Sequence, residues 1–338
     1  MIRPDHFPPP ERRREQLEYL VRYAVLAPSG HNSQPWRFAL RADGVEVLAD
    51  SGRLLTVADP FQRELLISCG AALYHLRLAG VCLGLPLAVT PVLRDERLAA
   101  ATVAPPPPPC PYWRPQFEAI PYRRTDRRRF SGDVSESSLK VLQNVLEPGF
   151  PIGFPAYAGP VRLLLIRDEE ERTQVADRVE AAALEQWADR QYRQEVADWI
   201  RSNGRDGLTL GLPGWLSWFP RLVLRWTNPG KSLAHDDAGL VEEGPVIAVL
   251  SSDGDSRADW LATGECLAAL LLSARAEGLN GSFFHQPLQL PAHRKQLAEH
   301  LGQPYPQVLL RLGRAMGTKP APRRPVNELL EMDLSPES

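Results

Sequence analysis

Two long apolar stretches match each other in register, and this match constrains the fold more than any other feature of the chain. At a fixed offset, residues 63–85 and 257–279 share seven identities, which include Gly70 with Gly264 and Gly84 with Gly278. Both stretches have the length and composition of buried helices that end near a glycine. The match predicts an internal duplication. The other interpretation is that two Leu- and Ala-rich helices agree by composition alone.

The pattern along the rest of the chain predicts both helices and strands, and therefore an α+β fold. Helices are expected over residues 11–26, 59–85, 139–146, 169–202 and 260–277. Strands are expected over residues 36–40, 45–49, 86–93, 161–166, 246–251 and 307–313. Asp133 and Glu136 resemble a capping box ahead of the third helix.

A run of five prolines at residues 105–109 divides the chain into unequal halves. Such a run is a stiff spacer, so residues 1–104 and 111–330 are expected to form the two halves, with residues 105–110 as the linker. Residues 204–240 break the pattern, because leucines and aromatic residues there alternate with glycines and prolines. This insert is interpreted as a lid over a ligand site; a subunit contact or membrane adhesion are the alternatives.

The composition argues against several classes of protein. A formal net charge of −2 does not favour nucleic acid or anionic membranes as partners. The four cysteines lack the spacing of a metal site, so no metal is expected. No continuous apolar run of about 18 residues, as a membrane span requires, is present, and no secretory signal is recognised. We expect a cytoplasmic protein.

A short loop between the first helix and the first strand is unusually polar. Its sequence, residues 27–38, reads A-P-S-G-H-N-S-Q-P-W-R-F. Five neutral side chains that form hydrogen bonds stand between Pro28 and Pro35, and such a loop suits a planar, polar ligand. A plain helix-ending turn is the alternative. Trp36 and Phe38 are expected in the core.

This loop resembles the flavin-wrapping loop of the nitroreductase family of FMN enzymes. Residues 123–130, R-R-T-D-R-R-R-F, are similar to the second signature of that family, R-R-S/T-x-R-x-F. The loop lies in the first half of the chain and the arginine element in the second, which resembles the internally duplicated, Acg-like branch. The resemblance implies a nitroreductase-like α+β fold, a pseudo-dimer that holds one FMN between its halves. In that branch a lid covers the flavin.

The resemblance also implies which residues bind FMN. Arg123 would contact the phosphate, Thr125 the ribityl or phosphate oxygens and Arg127 the pyrimidine edge. One residue more than the family spacing precedes Phe130, so the register of the arginines stays open, as does a merely solvated basic face. The full set of expected contacts is Pro28, Ser29, Gly30, Asn32, Gln34, Arg123, Arg124, Thr125, Arg127, His285, Gln286, Arg323 and Arg324. For Arg323 and Arg324 a basic tail is the alternative.

The implied activity is electron transfer from NAD(P)H through FMN to a nitroaromatic, a quinone or a similar small molecule. No catalytic side chain is expected, because the flavin supplies the chemistry. Gln286 or His285 stands where the family often has an acidic residue. Storage of FMN under a closed lid is the second interpretation, and dehydrogenation of a peptide or heterocycle a third. The protein is expected to be a monomer or a homodimer.

Overall fold

The computed structural model describes residues 4–147, 157–201, 204–208, 218–315 and 319–331. The first half contains two α-helices and four strands. In chain order these are α1 Arg13–Ala24, β1 Trp36–Arg41, β2 Gly44–Ala49, α2 Arg63–Cys82, β3 Leu87–Arg94 and β4 Arg97–Val103. Helix α3, Trp113–Ala119, begins the second half. Residues 105–110 carry no helix or strand; the division of the chain there stays a prediction.

The second half is longer because four helices separate its first two strands. After α3, its elements are α4 Glu136–Asn144, β5 Val161–Ile166, α5 Glu169–Ala188, α6 Arg190–Trp199, α7 Trp218–Trp226, α8 Gly230–Glu242, β6 Val246–Ser252, α9 Arg257–Ala276, β7 Asn280–Phe283, α10 Gln286–Gln289, α11 Pro291–Leu301 and β8 Tyr305–Gly313. Most predicted elements are present with boundaries shifted by a few residues, as expected when helix ends are assigned from sequence.

The two halves build sheets of the same topology. The strands are ordered β1-β2-β4-β3 in one sheet and β5-β6-β8-β7 in the other, and every pairing is antiparallel. In each half the long matching helix, α2 or α9, follows the second strand. A duplicated chain would have this repeated order.

The matching helices α2 and α9 cross at their two aligned glycines. A Cβ atom on Gly70 would lie 2.0 Å from the Leu261 carbonyl oxygen, and one on Gly264 would lie 2.0 Å from the Ile67 oxygen. Only glycine allows two helix backbones to approach this closely. The crossing joins the halves, and one hydrophobic core includes residues from both helices and both sheets.

Helix α2 is the only element among the described residues with the length and hydropathy of a membrane span, but 89% of that apolar window is buried inside the protein. Its apolar surface is therefore covered by the fold. This is the usual position of a core helix, hydrophobic on all sides.

Some predicted elements differ from the structure. The helix expected over residues 169–202 is two helices, because Asp189 adopts an extended conformation and caps α6 by accepting from the Gln191 N–H. Helix α4 is capped by Ser135, not by Asp133. Strand β4, which is rich in alanine, and the short β7 were not predicted, because neither has a strong strand composition. Helix α7 and most of helix α8 lie inside the expected lid, and residues 209–217 of that lid are outside the described residues.

Candidate functional site

The polar loop after α1 has an unusual backbone. His31, Asn32 and Gln34 have φ angles of 50°, 53° and 52°, a left-handed conformation that non-glycine residues adopt at some cost. The Ser29 hydroxyl accepts a hydrogen bond from the Gln34 N–H at 3.0 Å and closes the turn. A loop with three such residues in four positions must be held by contacts from elsewhere in the protein.

The amide side chains of Asn32 and Gln34 form some of the contacts that fix the polar loop. The Asn32 amide donates to the Pro322 carbonyl at 3.1 Å, and the Gln34 amide donates to the Arg205 carbonyl at 2.8 Å. The Gln34 side-chain oxygen accepts from the Arg324 N–H at 2.9 Å. In this structure both side chains bind the main chain of the second half, whereas the resemblance implies that they face the flavin.

Arg323 and Arg324 are also bound to the first half. The Arg323 guanidinium donates to the carbonyls at the end of α1, those of Val25 at 2.7 Å, Leu26 at 3.1 Å and Ala27 at 3.0 Å. Arg324 pairs with Asp50 at 3.0 Å. Cations stabilise the negative end of a helix, so these two residues orient the loop rather than form a solvated basic tail.

The arginine element divides into paired and unpaired members. Arg128 forms two hydrogen bonds with the buried Asp126, at 2.9 and 2.7 Å, and Arg129 pairs with Glu243 at 2.6 Å. The main chain of Thr125 bridges to Gly281, and the Asp126 N–H donates to the Gly281 carbonyl. The element therefore runs beside β7, which leads into the turn that carries His285 and Gln286.

Arg123 and Arg124 form what we call the arginine cradle. Arg123 is 6% exposed, and its Nε and Nη1 atoms are buried without a hydrogen-bond partner, as is the Nε of Arg124. Burial, and then the charges of Arg323 and Arg124, lower the pKa of Arg123 to about 9. Among the described residues no carboxylate pairs with either guanidinium. Arg124 is only partly buried, and its Nη1 donates to the Arg123 carbonyl at 2.7 Å. A buried guanidinium with two unpartnered donor atoms beside a second positive charge fits an anion such as a phosphate.

A second polar cluster lies where α2 of the first half meets α10 of the second. The buried Glu64 carboxylate approaches His285 Nδ1 at 3.3 Å and accepts from the Gln289 amide at 2.9 Å. Burial alone would raise the pKa of Glu64, but His285, Arg63 and Gln289 lower it to about 2. Glu64 is therefore a fixed negative charge. The Nε2 atom of His285 is buried without a partner.

The same cluster includes His31 from the polar loop. Burial, followed by the positive charge of Arg127, lowers the pKa of His31 to about 4, so this imidazole is neutral at pH 7. Arg127 itself is exposed, and its charge also acts on Tyr192 of α6 and Asp237 of α8. Arg127 therefore lies within electrostatic range of the polar loop, α6 and α8, and Glu64 acts on both His31 and His285. Binding of FMN by Arg127, His285 and Gln286 stays a prediction, and His31 was not among the expected contacts.

Sequence reasoning missed Glu64, Tyr192 and Asp237. Glu64 follows Arg63 at the start of an apolar helix, and this charged pair was a usable signal, since buried charges are rare unless they are paired. Nothing in the sequence around Tyr192 or Asp237 marks them, because both lie in helices whose position depends on the tertiary fold.

Helix α6 and the start of the insert are attached to the first half, and we call residues 190–201 and 204–208 the clasp. The Glu195 carboxylate accepts from the main-chain N–H groups of Val57 and Ala58 at 3.0 and 2.9 Å. Asp206, 2% exposed, pairs with Arg53 at 2.7 Å and with Arg201 at 2.9 Å. Apolar side chains of the clasp pack on residues 55–58. The clasp includes Tyr192 and contacts the polar loop through the Gly207 N–H, which donates to the Asn32 carbonyl.

Comparisons with known proteins identify related sequences. The family model described as "Nitroreductase family" matches residues 122–317. "Putative NAD(P)H nitroreductase Rv3131" of Mycobacterium tuberculosis is 31% identical over 341 residues, covering 96% of this chain and 93% of that protein. "Putative NAD(P)H nitroreductase acg" of the same organism is 30% identical over 343 residues, covering 94% and 95%.

Among solved structures, the NADPH:FMN oxidoreductase of Vibrio harveyi, complexed with NAD+, aligns with 66% of this chain and 79% of its own at 14% identity and a TM-score of 0.40. The matches to relatives extend over nearly the whole chain, and the family model includes the arginine cradle and the turn after β7. The chain belongs to the nitroreductase family.

Proposed function

We propose that this protein is a cytoplasmic oxidoreductase that binds one FMN per chain and passes electrons from NAD(P)H to a nitroaromatic, a quinone or a similar small acceptor. The observation that supports it best is the arginine cradle, where a guanidinium that is 6% exposed has two donor atoms without a partner. Leaving such groups unpaired costs free energy, which a bound phosphate would offset.

The residues of the chain have distinct parts in this proposal. Arg123 and Arg124 would hold the phosphate, and Thr125 would lie beside the ribityl chain. The loop from Pro28 to Gly30 and the turn at His285 and Gln286 would contact the ring from opposite halves. Arg127, exposed between them, would attract an anionic group of the ring or of the acceptor. Bound FMN would supply the redox chemistry, by taking a hydride from NAD(P)H and releasing two electrons to the acceptor.

Replacing Arg123 tests the cradle. Charge-assisted hydrogen bonds contribute about 1.5–3 kcal/mol, so Arg123→Ala should weaken FMN binding by about 10- to 100-fold. Riboflavin, which lacks the phosphate, should bind the variant and the wild type equally. Fluorescence titration of the flavin-free proteins with both ligands measures this. Equal loss of FMN and riboflavin affinity would contradict the phosphate assignment.

Two controls separate this effect from unfolding. Arg129→Ala removes an exposed arginine of the same element, one already paired with Glu243, and should bind FMN like the wild type. Arg123→Ala also removes a buried, unpaired charge, which is costly to bury. The flavin-free variant should therefore unfold at the same temperature as the wild type or above it.

Storage of FMN with little turnover is a second candidate function. The clasp favours it, because Asp206 is buried between two arginines and holds the insert against the loop. Anaerobic titration with NADPH and then NADH distinguishes the two. An oxidised flavin spectrum that bleaches at a stoichiometric dose supports the oxidoreductase, whereas a flavin that resists both reductants supports storage.

A further inference from the structure

Gln286 and Asp237 form a hydrogen-bonded pair at the edge of the cluster described above. The Gln286 amide nitrogen lies 2.7 Å from the Asp237 carboxylate, which joins α10 to α8. The other end of the amide, Oε1, is buried without a partner. The preceding residue, His285, also has a buried atom without a partner, Nε2. Two unpartnered buried atoms on one turn mark a place where a ligand group completes the hydrogen bonding.

The charge on Asp237 decides which end of the amide faces that place. An ionised carboxylate can only accept, so Gln286 must turn its NH2 group to Asp237 and present Oε1 outward. A neutral carboxyl group carries an O–H that can donate to Oε1, and the amide then turns over and presents its NH2 group. We propose that Asp237 and Gln286 form a proton-controlled amide switch, with Asp237 as the positioning residue, that offers the bound ligand an acceptor when Asp237 is charged and a donor when it is neutral.

The surroundings of Asp237 bring the switch into an accessible pH range. Burial raises the pKa of this carboxyl group to about 6; the positive charge of Arg127 works against the rise and the negative charge of Asp236 adds to it. Arg311 of β8 also lowers it, and Tyr192 of α6 lies within electrostatic range. On α5, which packs against α8, Glu180 faces His235. When Asp237 takes one proton from solvent, Gln286 changes from presenting an acceptor to presenting a donor.

The inference that Gln286 contacts the edge of a flavin ring rests on the proposed function. That ring edge carries both carbonyl acceptors and an N–H donor, so an amide that exchanges donor for acceptor changes its hydrogen bonding. The visible absorption of a flavin responds to such a change, which makes the switch observable without turnover.

The experiment compares the FMN-loaded wild type with three variants by visible difference spectra between pH 5 and pH 8. The wild type should show a one-proton transition near pH 6. Asp237→Asn should lose it, because an asparagine does not titrate. Asp236→Asn, the matched control, should keep the transition and shift it to lower pH, since a neighbouring negative charge is gone. Gln286→Leu should lose the transition although Asp237 is still present.

Each outcome is decisive. Absence of flavin in the wild type would overturn the proposed function, whereas flavin without a pH-dependent spectrum would overturn the switch alone. A transition that persists in Asp237→Asn would assign it to another group. A transition that persists in Gln286→Leu would mean that the charge acts on the ring directly and would overturn the relay through the amide. If Asp237→Asn does not retain flavin, the test rests on Gln286→Leu: loss of its transition supports the switch, and a transition that persists overturns it.

Discussion

His75 is a buried side chain whose protonation state affects the stability of the folded protein. It is fully buried on α2, and its Nδ1 lies 3.3 Å from the Tyr23 carbonyl oxygen. A carbonyl only accepts, so Nδ1 carries the proton and Nε2 holds an unpartnered lone pair. Burial, followed by the charge of Arg123, lowers the pKa of His75 to about 3. The residue is neutral in the folded protein.

This neutrality predicts a loss of stability in acid. Between pH 6.5, the usual pKa of histidine, and pH 3, the unfolded chain binds a proton at His75 that the folded protein does not. Stability therefore falls as pH falls through this window, by about 1.4 kcal/mol per pH unit. Denaturant unfolding of His75→Gln at several pH values should show a shallower slope. His235→Gln, at a histidine whose side chain is 81% exposed, should retain the wild-type slope.

At the scale of elements, the crossing of α2 and α9 tolerates no side chain at its centre. Gly70→Ala would place a methyl group against the Leu261 carbonyl, and overpacking of this kind costs about 1–3 kcal/mol or more. Gly239→Ala on α8 is the control, because nothing lies within 4 Å of its added carbon. Alanine favours a helix over glycine by about 0.5–1 kcal/mol, so this variant should gain stability. Thermal unfolding of both proteins measures the difference, and similar unfolding temperatures would argue against the close crossing.

The clasp is the second element with a testable role. Asp206→Asn removes the carboxylate that pairs with Arg201 and leaves Arg53 with Asp50 alone, at 3.5 Å; breaking a buried pair costs up to about 3–5 kcal/mol. If the clasp restricts access to bound flavin, the variant should be reduced by dithionite faster than the wild type. Asp133→Asn, at an exposed aspartate outside the clasp, should not change the rate. An unchanged rate in Asp206→Asn would show that the clasp does not limit access.

At the scale of the whole molecule, the halves depend on each other. One hydrophobic core extends through both sheets and both long helices, and the buried Arg77 of α2 pairs with Glu265 of α9. The loop at His31 comes from one half and the cradle at Arg123 from the other. The proposed FMN site therefore requires both halves in one assembly.

This dependence predicts that a cut between the halves leaves them together. A protease site placed within residues 105–109, which carry no helix or strand, would allow the purified protein to be cleaved. The two fragments should elute as one species in size-exclusion chromatography and retain FMN, because burial of the shared apolar surface holds them. Separation of the fragments under native conditions would contradict this expectation.

Much of the fold was predictable because local sequence patterns indicate the helices and strands. The spacing of apolar residues predicted α2, α9 and most strands, and the match around Gly70 and Gly264 predicted a repeated architecture. The break at Asp189 was not predicted, because a helix cap interrupts a stretch of high helix propensity. The strand β4 was not predicted, because pairing with neighbouring strands stabilises it despite its weak strand composition. The arginine element and the polar loop were recognised by their motifs.

The sequence by itself determined the family, the α+β architecture and the two motifs that meet at the site, because each is carried by residues close together in the chain. Only the tertiary structure decided how individual side chains are used. Arg129 pairs with Glu243, 114 positions away, while Arg123 is left with two unpartnered donor atoms, and Asn32 binds the Pro322 carbonyl, 290 positions away. These contacts join residues far apart in the chain, and no local pattern records which of them will meet.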